Sequence, residues 1–311
     1  MTTALMTHPD ATRHQTPAGH PEQVARMTAI SEALSDPVFA TLLRLEAPTG
    51  TDAQLNLCHP SHYVDRVRKA IPPAGIYQLD ADTHVSPGSL NAALRAVGGA
   101  CHAVDLVMEK TATNAFLAMR PPGHHAERET PMGFCLFGTV AIAARHAMEH
   151  HGLKRVAVVD FDVHHGNGTQ DLLWDERRAL FVSSHQMPLW PGTGKAEERG
   201  AHGNVLNVPL APGTDGQTFR RIYEDTVLPQ LERFSPELVL VSAGFDAHAA
   251  DPLAQLELEE NDFAWVTGAL CDIARRHCDG RLVSVLEGGY DLVALGRSVA
   301  AHMRVLLEKG A

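Results

Sequence analysis

Long apolar runs are missing from this 311-residue chain. Nowhere do the ~18 uninterrupted apolar residues of a membrane span appear, so no membrane partner is expected. The start MTTALMTHPDATRHQ also lacks the basic end and apolar stretch of a secretory leader. Cysteine is scarce: Cys58, Cys101, Cys135, Cys271 and Cys278 are odd in number, scattered and without a CxxC pair. That argues against a disulfide framework, a thioredoxin-type motif and a structural cysteine-zinc site, and it predicts a reducing, cytoplasmic setting. Basic charge is in the minority, 26 Lys+Arg against 37 Asp+Glu, for a net charge of -11. With no basic run carrying interleaved aromatics, nucleic acid is not an expected partner, whereas cationic substrates are compatible with the acidic surface. Repeats, low-complexity tracts and Pro/Gly/Ser linkers are absent as well, so residues 1–311 read as a single domain. A chain of this length buries ~75% of the surface it would expose unfolded.

What the sequence has in plenty is histidine, 19 in all, several paired or beside aspartate. Short runs rich in Val, Leu and Phe alternate with longer amphipathic segments, the pattern of a mostly parallel sheet with helices on both faces. Strands are expected at Ala115 to Met119, Val156 to Asp160, Leu180 to Ser183, Leu238 to Ser242 and Leu282 to Leu286, with Asn204 to Val208 a weaker candidate. Helices are expected at Glu22 to Ala33, Leu90 to Met108, Leu136 to His151, Gln217 to Phe234, Glu259 to His277 and Asp291 to Leu307. In the second of these, Leu90, Leu94, Val97, Cys101, Val104 and Met108 form one apolar stripe. Four of the strands run into polar, glycine-containing segments: RPPGHH (120–125), DVHHGNGT (162–169), AGFDAH (243–248) and EGGY (287–290). In an open parallel sheet such strand ends share one edge, where ligands bind.

Asp162 and His164 lie two apart just beyond a strand end, and Asp246 follows another strand. Two carboxylates and an imidazole with an open position suit a catalytic zinc ion, although iron(II), cobalt or manganese accept the same mixed donors. Metal-assisted hydrolysis also needs a base and an acid, and the tandem His124-His125 supplies imidazoles that titrate near neutrality. Asp160 and Asn167 are candidates to hold the two rings, the charged partner raising one pKa and the neutral partner leaving the other near its ordinary value. Tyr290 follows a glycine pair and offers a phenol to a developing oxyanion. The bland alternative, in which the aspartates only cap helices and brace loops, weakens once three such motifs end neighbouring strands.

Taken in order, RPPGHH, GFCLF, DFDVHHGNGT, PGTG, SAGFD, DPL and LEGGY resemble the signature set of the histone deacetylase family and its bacterial relatives, the histone-deacetylase-like and acetylpolyamine amidohydrolases. HQTPAGHPEQVAR (14–26) is similar to that family's first loop. The resemblance implies an arginase/deacetylase fold with one zinc ion on Asp162, His164 and Asp246. It implies His125 as general base and acid, His124 as its electrostatic partner beside Asp160, and Tyr290 as the group polarising the amide carbonyl. Asn167 stands where class II members carry asparagine. Phe134 corresponds to one wall of an acyl-lysine channel and Trp190 to the other, where the family usually has Phe; Gly133, Gly288 and Leu253 fall in the same substrate-binding motifs. A structural potassium ion near Asp160, Asp162, His164, Ser183 and Ser184 is also implied.

The implied reaction is removal of acetyl or other short acyl groups from acyl-lysine, with acetylpolyamines or other small N-acetylated amines as the rival substrates. Leu253, where the polyamine-selective vertebrate member has glutamate, favours acyl-lysine. A two-metal ureohydrolase is disfavoured because Gly166 and His248 occupy the places of its extra aspartates, and a non-catalytic binding module because no ligand or Tyr290 is lost. Self-association into a homo-oligomer is compatible with the sequence. His102, His146, His150, His151 and His277 read as solvated or packed helix residues, as do Cys101 and Cys271. The acidic run Glu257 to Asp262 reads as a helix start. His20, Asp82, Thr83 and His84 fall at the channel rim without an assigned role.

Overall fold

A computed structural model describes residues 2–310. Eight short strands pair in parallel throughout: β1 (Thr3–Thr7), β2 (Leu43–Glu46), β5 (Asn114–Leu117), β6 (Val156–Asp160), β7 (Ala179–Gln186), β8 (Val205–Leu210), β9 (Leu238–Ala243) and β10 (Leu282–Leu286), in the order β2-β1-β5-β10-β9-β6-β7-β8. A two-stranded antiparallel ribbon, β3 (Tyr77–Gln78) with β4 (His84–Val85), stands apart.

Alternate residues along each strand point to opposite faces, and both faces are apolar. Met6, Leu117, Val158, Leu240 and Val285 join a core with α3 (Ser61–Ala70), α4 (Ser89–Met108) and α5 (Thr139–His150). Leu5, Phe116, Val159, Val241 and Leu286 join the opposite core with α1 (Ala25–Ala33), α7 (Gly216–Ile222), α8 (Leu228–Phe234), α9 (Glu260–Cys278) and α10 (Leu292–Gly310). The expected α/β class, with helices on both faces of a parallel sheet, is therefore observed.

Differences from the sequence reading have local causes. The segment from Gln217 to Phe234 is two helices joined by one π-helical turn, Tyr223–Val227, where Pro229 lacks the N–H of a regular turn. The first long helix starts at Ala25 rather than Glu22, and a buried ion pair ties Glu22, just outside it, to Arg26 in its first turn. β1 and β2, α2 (Asp52–Leu55), α3 and α6 (Asn167–Leu173) are additional. The acidic run does start a helix: Glu259 and Asp262 form a reciprocal capping box at the head of α9. All five cysteines are buried free thiols. Among the described residues, no helix is long and apolar enough to cross a membrane.

Several core histidines are held neutral. His59 Nε2 accepts the Gly138 N–H at 2.9 Å where α5 begins, and burial pushes its pKa down to about 4. Burial likewise lowers His185 to about 4 and His302 to about 3. A depressed imidazole contributes no penalty above its unfolded pKa of about 6.5 and progressively destabilises as pH falls from there toward the folded value. For His59 alone the full loss is about 3 kcal/mol. The melting temperature is therefore expected to drop between pH 7 and pH 4. The slope should be shallower in His59→Gln, which retains an acceptor for Gly138 but cannot titrate; equal slopes in the two proteins would contradict this assignment.

Candidate active site

The four central strands β5, β10, β9 and β6 stand side by side, and the four polar motifs follow their C-terminal ends. Parallel pairing thereby gathers residues that are far apart in sequence. Asp162, His164 and Asp246 each offer one ligand atom, all within 4.8 Å of one another, and all three residues are buried. His164 Nδ1 lies 3.2 Å from Asp162 Oδ1 and 3.2 Å from Asp246 Oδ2. Backbone amides fix the carboxylates: His164 N–H donates to Asp162 Oδ1, Gly288 N–H to Asp162 Oδ2, each at 2.9 Å, and Val163 N–H to Asp246 Oδ1 at 2.9 Å. Gly288 must lack a side chain, since a Cβ there would stand 2.0 Å from Asp246 Oδ2 and 2.6 Å from Asp162 Oδ2.

The electrostatics also ask for a cation. Asp160, Asp162, Asp246 and Glu287 are all buried together, with His124 and His164 as nearby basic groups. Burial drives Asp160 up to about 6 and Glu287 to about 7, opposed in each by His124. Burial and then Asp162 raise Asp246. Glu287 Oε1 has no hydrogen-bond partner. A buried surplus of carboxylate with an oxygen–nitrogen donor set fits a dication of the zinc type.

The tandem histidines diverge as their partners dictate. His124 Nδ1 is 2.9 Å from Asp160 Oδ2, and its Nε2 is 3.8 Å from Asp162 Oδ2. Burial disfavours its charge, but Asp162, Asp160 and Glu287 outweigh burial and hold its pKa well above the ordinary value. His125 Nδ1 is 2.8 Å from Asn167 Oδ1, whose amide nitrogen donates in turn to Glu127 Oε1 at 2.8 Å. Its pKa falls well below the ordinary value, first through burial and then through the charges of His124 and His164. That corrects the expectation of a near-ordinary value: the neutral asparagine does not offset burial beside a second imidazolium.

Tyr290 is buried with its ring under the Arg26 guanidinium, 5.1 Å from the centroid. Burial, with Asp246 adding to it, raises the phenol well above 10, so it remains a donor. Phe134 stands edge-on to Tyr290 at 5.9 Å. Trp190, 41% exposed, stands edge-on to His125 at 4.7 Å and reaches to 6.1 Å from His164. Between them Gly133, at φ +55°, leaves room that a Cβ would take from His125 and Trp190. Leu253 is half-buried beside Asp251, whose Oδ1 accepts the Leu253 N–H at 3.0 Å. All the candidate site residues thus fall on one edge of the sheet.

Further residues at this edge have tasks that the sequence did not assign. Glu287 Oε2 accepts the Gly123 and His124 N–H groups at 2.7 and 3.1 Å, fixing the start of the histidine pair. Asp251 Oδ2 accepts the Tyr290 N–H at 2.7 Å. Behind Tyr290, fully buried Arg26 donates to the carbonyls of Gly289 and Glu287 at 2.7 and 2.5 Å, while Arg120 pairs with Glu22. Asp82 Oδ1 accepts from Gly133 N–H and Thr83 Oγ1 from Phe134 N–H, both at 3.1 Å, which gives those rim residues a structural task. His248 stacks on Phe263 at 6.5 Å with its Nε2 3.8 Å from Glu260 Oε2, and a Cβ at Gly166 would stand 2.3 Å from Asp160 Oδ2. Among the described residues, neither position joins the converging donor set of Asp162, His164 and Asp246.

Residues 20–306 match the family model described as histone deacetylase domain. The chain is 42% identical over 278 residues to the histone deacetylase-like amidohydrolase of Pseudomonas aeruginosa, covering 88% of this chain and 73% of that protein. It is 36% identical over 298 residues to a probable deacetylase of Archaeoglobus fulgidus, covering 94% and 82% respectively. The crystal structure of the HDA15 HD domain superposes with a TM-score of 0.93 at 33% identity, covering 99% of this chain and 88% of that one.

Proposed function

The chain belongs to the histone deacetylase family, and from that premise we propose that residues 1–311 form one zinc-dependent amidohydrolase unit removing acetyl and other short acyl groups from acyl-lysine side chains. The observation that carries this reading is the pairing of a convergent Asp162–His164–Asp246 donor set with a buried neutral imidazole, His125, whose ring centre is 5.9 Å from that of His164. Those three side chains would hold one zinc ion, which when bound supplies Lewis acidity to an amide carbonyl and lowers the pKa of water.

The chain's own residues do the rest. With its Nδ1–H donated to Asn167 Oδ1, His125 presents Nε2 as a free acceptor, positioned to take a proton from the attacking water and return it to the leaving amine. His124 stays an imidazolium against Asp160 and contributes positive charge without competing for that proton. Tyr290 donates its phenolic hydrogen to the developing oxyanion. Phe134 and Trp190 wall the acyl-bearing chain and limit water around it. Acetate and a free amine leave. A potassium ion near Asp160, Asp162, His164, Ser183 and Ser184 belongs to the same proposal, supported by the ladder pairing of Asp160 with Ser183 and by Ser184 Oγ 3.4 Å from the Asp160 carbonyl.

Tyr290→Phe is expected to lower kcat about 100- to 1,000-fold with metal content unchanged, since only the oxyanion donor is removed. An unchanged kcat would make the carbonyl-polarising role untenable. The substrate is tested by amine release from an acetyl-lysine peptide, acetylputrescine and acetylspermidine side by side. Preference for the peptide is expected from neutral Leu253; preference for the polyamines would overturn acyl-lysine as the substrate.

A further inference from the structure

Asp105, His146 and His151, all unremarkable helix residues by sequence, meet at one point. Asp105 lies near the end of α4, His146 in the last turns of α5, and His151 is the residue that caps α5. His146 Nε2 and His151 Nε2 are each 2.7 Å from the same oxygen, Asp105 Oδ1, and the three ligand atoms all lie within 4.8 Å of one another. The two rings are nearly perpendicular, at 83° and 5.6 Å between centres, so they approach the shared point from different directions. His150 packs on both, stacked against His146 at 5.0 Å and edge-on to His151 at 4.9 Å.

This cluster is separate from the acyl-amide site. His151 precedes the first residue of β6, whereas Asp160, Asp162 and His164 lie at and beyond its last. The two groups are therefore at opposite edges of the sheet. The side chains of His146, His151 and Asp105 are 10%, 15% and 26% exposed, buried enough to be held by the packing of α4 on α5 and open enough for an ion to enter with water. Without an ion, both imidazoles must direct an Nε2–H at a single carboxylate oxygen. An ion at that point takes two imidazole lone pairs and one anionic oxygen instead, with water filling the remaining positions. Two nitrogen donors select a divalent transition ion over calcium or magnesium, which take oxygen ligands.

We propose that Asp105, His146 and His151 form a second, non-catalytic site for a divalent transition ion of the zinc type, which clamps the C-terminal end of α4 to that of α5. The arrangement is independent of the hydrolase reading, because none of its residues touches that site.

The test is zinc content per chain after equilibrium dialysis against buffered micromolar zinc, on the wild-type protein and on Asp246→Asn, His151→Ala and the combined variant. Two ions per chain are expected in the wild type, one in each single variant and none in the combination, with amine release unchanged in His151→Ala. A melting curve of Asp246→Asn provides the second readout: zinc should raise its melting temperature by a few degrees, an equal concentration of calcium should not, and His151→Gln should abolish the rise. A wild-type content of one ion that His151→Ala leaves unaltered, or a zinc-induced rise that persists in His151→Gln, would overturn the proposal.

Discussion

Replacing His125 by alanine is expected to lower turnover about 100- to 10,000-fold while zinc remains bound. The imidazole is not among the converging donors, so its loss leaves Asp162, His164 and Asp246 and the amides that fix them untouched. What disappears is the only acceptor in the histidine pair. His124 cannot substitute, because Asp160 holds its Nδ1 and three carboxylates keep the ring protonated. Steady-state kinetics on the acetyl-lysine peptide, with zinc content measured on the same sample, separates the outcomes. A kcat near that of the wild type would remove the proposed base, and a variant that had lost its zinc would mean that His125 serves the metal rather than the proton.

Asp246→Asn is expected to weaken zinc binding by more than about 100-fold and to reduce amine release to background at limiting zinc. The amide oxygen still accepts the Val163 N–H that Asp246 Oδ1 accepts now, so the loop after β9 keeps its anchor. It offers no anionic oxygen toward His164 Nδ1, where Asp246 Oδ2 lies 3.2 Å away. The fold should survive the change, since burial and neighbouring Asp162 already disfavour a charged Asp246. Zinc titration followed by equilibrium dialysis reads the affinity, and an unchanged affinity would exclude Asp246 from the donor set.

Much of this site was legible because its residues sit in unusual local company. His124-His125, the Asp162-x-His164 pair and the Gly288-Gly289 turn each stand after a run of apolar residues buried on both faces, a pattern few loops share. The charged residues behind them carry no such mark. Arg26, Arg120 and Glu22 fall within quoted motifs, but no spacing connects them, and only the fold reveals that they are buried and paired. Glu287 reads as the polar start of a turn, and its clamp on Gly123 and His124 depends on β10 lying beside β5. β1 and β2 escaped because TALMT and LRLE mix polar with apolar residues as outer strands do. α6 escaped because it opens on Asn167-Gly168, a turn signal, although Gly168 is required there by the 2.4 Å that would separate a Cβ from the Ala126 carbonyl. Asp105 and His151 belong to different helices, so no spacing rule connects them.

The central claim, metal-dependent hydrolysis of an acyl-lysine amide at the edge formed by β5, β10, β9 and β6, is tested most directly by one titration. Amine release from the acetyl-lysine peptide is followed on the zinc-loaded protein, again after chelation, and again as zinc is returned. Activity that vanishes on chelation and recovers in proportion to one tightly bound, catalytically required zinc ion per chain is the predicted result. Release that continues undiminished in the zinc-free protein would contradict it.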